Sequence, residues 1–324
     1  MREARRHPGE REVSEVASSD GKREARAETL MAEAVRIIDA GRDVGVALRL
    51  TGGLAIRRHC TDLAFLTRDY SDIDMVGLAA QAVAARDLFE RLGYAEDYHV
   101  TQATGGCQRQ FVPLGRLLES HAHVLKRARL ADEAVRSRLA TGHVDVFFDV
   151  MRMDHDVVIR ERIALDDYAI SPADALLTKL QIGKLTGKDV HDIVALVKDV
   201  PLGCDDTPGR INTAHIADEC CRDWGMYFDI MNNLDLIIER LDDWNLQPVD
   251  ERRVRAALAT IQGAISAEEK TFRWRLRARL GRRLPWRREV EETGSEPDVD
   301  GSALRSPYVS GPPAGASSTR LHSS

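Results

Sequence analysis

The sequence predicts an α/β core of about 140 residues followed by a helical part. Three observations point there. Strand-like runs ("VGVALRLTGG", "SDIDMVGL", "HVDVFFDVM") alternate with stretches of helical period in the first half. From Ser171 to about Gly281 only the helical period recurs. Both ends are aperiodic: charged before residue 27, rich in Pro, Gly and Ser after residue 284.

The elements follow in order. Residues 1–26 read as a disordered tail, and "ETLMAEAVRIIDA", Glu28 to Ala40, as a helix stopped by Gly41. A strand ends at Gly52-Gly53, and "LAIRRHC" opens a helix. "SDIDMVGL" is a second strand and "AAQAVAARDLFERLGY" a helix closed by Gly93. Shorter β-like runs fall at "YHVTQAT" and "CQRQFVPL", then a helix at "HAHVLKRARLADEAVRSRLA" and a strand at "HVDVFFDVM". "SPADALLTKLQIGKLTGKDVHDIVALVKDV" opens with a Ser N-cap and Pro at the first helical position, and Gly187 predicts an interruption into two helices. The expected organisation is a core over 27–165, a helical domain over 166–284, and a second disordered tail over 285–324.

Composition sets limits on function. With 324 residues, 43% hydrophobic and 30% charged, the chain can bury a sizeable core behind a soluble surface. A net charge of −6 argues against whole-protein attraction to nucleic acid or membrane. No apolar run approaches the roughly 18 to 20 residues of a membrane span. The first residues lack the apolar segment of a secretory signal, and five scattered cysteines without a C-x-x-C read as reduced thiols. A cytoplasmic protein is the expectation.

Residues i and i+2 of a strand share a face, so Asp72 and Asp74 project together while Ile73 and Met75 point the other way. Two such carboxylates repel unless a cation lies between them or one is protonated. Mg²⁺ takes one or two carboxylates plus phosphate oxygens, so the pair suits phosphoryl or nucleotidyl transfer. A strand-edge pair of solvated aspartates would look the same. At Gly52-Gly53, the N–H groups opening a helix meet no Cβ that would keep a phosphate away, and Thr51 adds a hydroxyl. A plain strand-to-helix turn is the competing explanation.

Order and spacing together resemble the nucleotidyltransferase superfamily with the DNA polymerase β-like fold: a G-[GS] turn, then [DE]-x-[DE], then a third acid on a later strand. Here 18 residues separate Gly53 from Asp72. The resemblance implies a mixed-sheet core with a C-terminal helical domain. It also implies that Gly52 and Gly53 hold a nucleotide triphosphate, and that Asp72 and Asp74 bind Mg²⁺ or Mn²⁺. The third ligand it calls for is Asp145, with Asp149 as competitor. Asp145 is preferred because it sits in the most apolar part of its strand, where an acid without a task is costly. "LLTKLQIGKLTGKDVHDIVAL" is similar to the helical motif of abortive-infection (AbiEii-type) nucleotidyltransferase toxins, with Lys179, Lys188, Asp189 and Asp192 in the nucleotide-binding positions and Lys184 an alternative to Lys179. Asp189 and Asp192 share a helix face. These likenesses imply NMP transfer from an NTP to a hydroxyl acceptor, tRNA or another RNA, under an antitoxin. An antibiotic-modifying nucleotidyltransferase and a catalytically silent binding module are the alternatives.

Other features carry less. His121 and His123, near Cys107, lack a full zinc ligand set. Asp154 and Asp156 read as a surface turn, and Arg57, Arg58 and His59 as equally suited to phosphate or solvent. Lys270–Arg288 holds Lys270 and eight arginines, no acid, and Phe272, Trp274, Leu276 and Leu280 interleaved. It reads as a contact for tRNA or another polyanion, as a membrane-surface segment, or as a basic helix packed on its own chain.

Overall fold

The structure, a computed structural model, describes residues 8–114 and 142–288. The helix expected over 121–140, with His121 and His123, lies outside the described residues, as do residues 1–7 and 289–324.

Helix α1 spans Pro8–Asp43, so the expected tail through residue 26 is helical from residue 8. Ionic contacts hold its charged half. Arg26 donates to the carbonyls of Tyr70 at 2.8 Å and Ser71 at 3.2 Å. Arg23 pairs with Asp69 at 3.4 Å, and Glu24 with the buried Arg57. Contacts of that kind leave no apolar period to read. From Ala27 the period is apolar, with Ala27, Leu30, Ala34, Ile37 and Ile38 all buried. Each Leu or Ile so buried is worth roughly 1.5–3 kcal/mol.

Strand β1 (Leu48–Leu50), helix α2 (Gly52–His59), β2 (Ile73–Gly77), helix α3 (Ala82–Arg91), β3 (Tyr94–Asp97), helix α4 (Tyr98–Ala103), β4 (Gln108–Pro113) and β5 (Val144–Phe148) build the core. The five strands form one mixed sheet in the order β1-β2-β5-β4-β3, in which β2 and β5 run parallel and every other pair antiparallel. A short hairpin, β6 (Val150–Arg152) and β7 (Asp156–Val158), follows. The β-like run "YHVTQAT" is corrected to helix. Asp97 caps it by accepting from His99 N at 2.9 Å, and Thr101 bonds back to Glu96 at 2.6 Å, so local polar bonds override strand propensity.

Helices α5 (Pro172–Leu180) and α6 (Gly187–Asp199) come next. Ser171 accepts from Asp174 N at 3.2 Å as expected of its cap. The break falls at 181–186, and Gly187 opens α6 rather than interrupting a helix. Thr186 caps that end in a reciprocal box with Asp189. A two-residue ladder, β8 (Leu202–Gly203) with β9 (Ile211–Asn212), was not visible in the sequence pattern. Then come α7 (Thr213–Arg222), α8 (Trp224–Glu239), α9 (Pro248–Ala267) and α10 (Phe272–Leu280). One hydrophobic core runs from Ala27 in α1 to Ile265 in α9. The backbone of 168–170 extends the sheet beside β1, with Leu50 N donating to Tyr168 O at 2.7 Å and Ile170 N to Leu50 O at 2.9 Å. Helical and sheet halves are therefore welded through both backbone and core.

The second tail also starts later than expected, because residues 285–288 are docked. Trp286 meets Trp224 and Phe228 edge-on, and its indole N–H donates to Asp229 at 3.0 Å. Buried Asp229 also takes Arg287 at 3.1 Å and contacts His155 Nε2 at 2.8 Å. Asp229→Ala should cost about 1–3 kcal/mol by stranding these donors, read as a lower urea midpoint. An unchanged midpoint would remove the clamp from the account.

Candidate active site

The turn from β1 into α2 is drawn against β2. Thr51 N donates to Asp74 O at 2.9 Å. Gly52 has φ +63°, and a Cβ there would stand 2.5 Å from Asp74 Oδ2. Only glycine permits both the conformation and the approach. At Gly53 the reason is space, since a Cβ would run into the guanidinium of Arg68. The Thr51 hydroxyl does not join the turn's open side. It is fully buried and points to Met151 Sδ at 3.5 Å.

Parallel pairing of β2 with β5 sets Asp74 directly beside Asp145. Asp72, just before β2, stands close enough for its charge to act on Asp74. The structure thus brings the three predicted carboxylates together. His143 Nε2 lies 3.5 Å from Asp72 Oδ2 and 3.2 Å from Asp145 Oδ2, and Gln110 donates to Asp145 Oδ1 at 3.1 Å. Burial, then the charges of Asp72 and Asp145, push the Asp74 carboxyl up to about 7. The hydrogen bond to Asp145 holds His143 above its ordinary value. Asp149 stands apart. It has φ +62°, accepts from Ala79 N at 3.0 Å and from Arg160 at 2.6 Å, and the Arg160 bond lowers its pKa.

From the helical half, Lys179 reaches Asp189 at 2.8 Å and Asp192 at 3.2 Å. Burial opposes its charge, but the two carboxylates more than compensate and raise its pKa. Fully buried Asp192 also receives both arms of Arg68, at 3.1 and 2.9 Å. Asp189 and Asp192 therefore pair with Lys179 and Arg68. Lys188 and Lys184 are exposed. Of the set-aside residues, Arg57 is buried against Glu24, Arg58 covers Tyr168, and His59 bonds Ile170 O.

No protein-family model matches the chain, and no curated protein does. Among solved structures it is similar to the antibiotic-resistance factor ANT(2'')-Ia, with a TM-score of 0.25 and 10% identity, over 74% of this chain and 95% of that one. So slight a likeness decides nothing about chemistry. The site stands on its own geometry.

Sequence reasoning missed three residues here. His143 and Gln110 touch Asp145, and His143 was readable, being two residues before it on the same strand face. Arg68 carried no signal: it sits in the loop before β2, stacked at 4.1 Å on Tyr70. Among the described residues no three His, Cys, Asp or Glu side chains form a ready metal cage. Mg²⁺ does not require one, because it completes its shell with water and substrate phosphate. Hard carboxylate oxygens such as those of Asp72, Asp74 and Asp145 are the donor type that Mg²⁺ or Mn²⁺ takes.

Two predictions follow from this geometry. The folded Asp74 carboxyl titrates about 7 against 3.8 for its ordinary value, so the folded state binds the extra proton between those values. Stability from this group is complete at low pH and is lost as pH rises toward 7. Without metal, Asp74→Asn should gain on wild type over that range by on the order of a few kcal/mol in urea titrations. A constant difference across pH would refute the crowding. Gly52→Ala should destabilise the fold by about 1–2 kcal/mol, as a left-handed non-glycine residue pressed on a carboxylate. Thermal melts at low pH and neutral pH test it, and a neutral effect would mean that the turn relaxes.

Proposed function

We propose that this chain is a nucleotidyltransferase with a polymerase β-like core and a C-terminal helical domain, moving an NMP group from an NTP to a hydroxyl acceptor. The observation that carries this reading is the side-by-side placement of Asp74 and Asp145, with Asp72 beside them and Gly52 pressed against Asp74. A strand-edge pair on a solvated surface would need neither the third acid nor the glycine.

Asp72, Asp74 and Asp145 are the residues that would hold Mg²⁺ or Mn²⁺, which when bound supplies positive charge against the triphosphate. The Gly52-Gly53 turn offers backbone N–H groups to the phosphates at the start of α2. Lys179, braced by Asp189 and Asp192, brings a fixed positive charge to the same side. Asp145 orients the acceptor hydroxyl and takes its proton. The hydroxyl oxygen then bonds the α-phosphorus, the bond to the bridging oxygen breaks, and pyrophosphate leaves. Gln110 fixes one oxygen of Asp145, and His143 adjoins the other.

For the acceptor we take RNA, tRNA included, in a cytoplasmic toxin-like role with an antitoxin partner. That choice rests on the similarity of the Lys179–Asp192 segment to the abortive-infection toxins. A small-molecule acceptor, as in antibiotic-modifying enzymes, is separated by the same experiment. Purified protein is incubated with each α-labelled NTP, Mg²⁺ or Mn²⁺, and either total RNA or aminoglycosides. Label should enter RNA. Asp72→Asn, Asp74→Asn and Asp145→Asn should each cut transfer by roughly two to three orders of magnitude while the proteins stay folded. Asp149→Asn should keep transfer and lose stability, since its partners are Ala79 and Arg160. Full labelling by the Asp72→Asn, Asp74→Asn double variant would sink the proposal.

A further inference from the structure

Helix α10 packs on α7 and α8. Trp274 meets Tyr227 edge-on, and Arg277 lies 4.9 Å above the Trp224 ring while donating to the carbonyls of Gly281, Leu284 and Pro285. Arg282, Arg287 and Arg288 are likewise spent within the chain, on the rings of Phe228 and Trp286, on Asp229 and on Asp156. Part of this basic segment is thus a packed one.

The opposite side is different. Phe272 is 77% exposed, Leu276 52%, Leu280 45% and Leu284 50%, the largest run of exposed apolar side chains among the described residues. At about 100° per residue, Phe272, Leu276 and Leu280 fall within about 80° of one another. Arg275 and Arg279 border that stripe on one side and Arg273 on the other. All three are exposed, as is Arg283 just beyond the helix. From Lys270 to Arg288 there is no acid.

We infer that this outer face of α10 lies on an anionic lipid surface. The inference is independent of the nucleotidyl-transfer reading. Arginines flanking an apolar stripe match a headgroup layer, where stems and apolar side chains sink to the acyl boundary and guanidiniums meet phosphate. The two obvious rivals use only part of the face. Nucleic acid would satisfy the arginines by phosphate contact and could stack a base on Phe272, but it would leave Leu276 and Leu280 in water. A second copy of the chain, docking through the same face, would set Arg273, Arg279 and Arg283 against like charges, and Glu269, 3.8 Å from Arg275, offsets only part of that. Contact is interfacial, because among the described residues no helix is long and apolar enough to cross a membrane.

The test is co-sedimentation of the full chain with vesicles of phosphatidylcholine alone and of phosphatidylcholine with about a third phosphatidylglycerol. Wild type should bind the anionic vesicles and leave the neutral ones. The triple variant Phe272→Ser, Leu276→Ser, Leu280→Ser keeps every charge and should lose at least about tenfold in binding. Arg273→Gln with Arg279→Gln should lose roughly fivefold per arginine. These side chains are exposed, so circular dichroism should report an unchanged fold in both variants. Wild type that stays in the supernatant would overturn the inference. So would a triple variant that sediments like wild type, since that is charge attraction alone. Total tRNA that displaces the protein from vesicles and binds the triple variant undiminished would assign the face to nucleic acid and overturn it equally.

Discussion

The parallel register of β2 on β5 is the constraint on which the site depends. It sets Asp74 beside Asp145, and His143, within reach of both Asp72 and Asp145, shows that Asp72 stands beside them. Two unit charges 4 Å apart cost about 4 kcal/mol even at an effective dielectric near 20. Among the described residues the chain answers with His143 between two of the acids, Gln110 on Asp145, the nearby charge of Lys179, and a carboxyl at Asp74 pushed up to about 7. A fold selected for stability alone has simpler options. Met or Val at these positions would pack without repulsion, as Met75 and Val146 do on the other face.

A second balance ties the helices to that sheet. Lys179 and Arg68 bring two positive charges, and Asp189 and Asp192 bring two negative ones. Each is paired, so the group is tolerated in a buried place. Removing a single member leaves a partner uncompensated, which is the costly case. Arg68 belongs to the loop before β2 and Asp192 to α6, so one bidentate bond spans 124 positions of chain and fixes the helical half against the glycine turn. Gly53 takes part by having no Cβ where the guanidinium rests.

Much of this was legible because it follows strict periods. Alternation in "SDIDMV" and "HVDVFFD" assigns faces, and Ser171-Pro172 announces a helix start that the structure shows. The misreadings have a common physical origin. Residues 98–103 carry β-branched side chains yet form a helix, because Asp97 caps them and Thr101 bonds Glu96. The Thr51 side chain turns to Met151, a contact 100 positions away that its place beside the glycines does not announce. Arg68 and its grip on Asp192 are long-range, and no local pattern encodes them.

The charged ends show the same thing in a way that bears on the site. Composition marked both as tails, yet each straps a loop: one next to the carboxylates, the other between α5 and α6. Asp72 precedes β2 and so has no ladder bond of its own strand to locate it. The two residues before it, Tyr70 and Ser71, are instead fixed by Arg26, which donates to both carbonyls. On the other side, Arg287 bonds Gly183 O in the connection between α5 and α6, close in sequence to Lys179 and Asp189. A charge run reads as solvated when its partners are distant in sequence, because periodicity detects only apolar burial. Here the charges do what an apolar stripe does elsewhere. They determine where a loop stops, and through that loop where the first carboxylate of the trio stands.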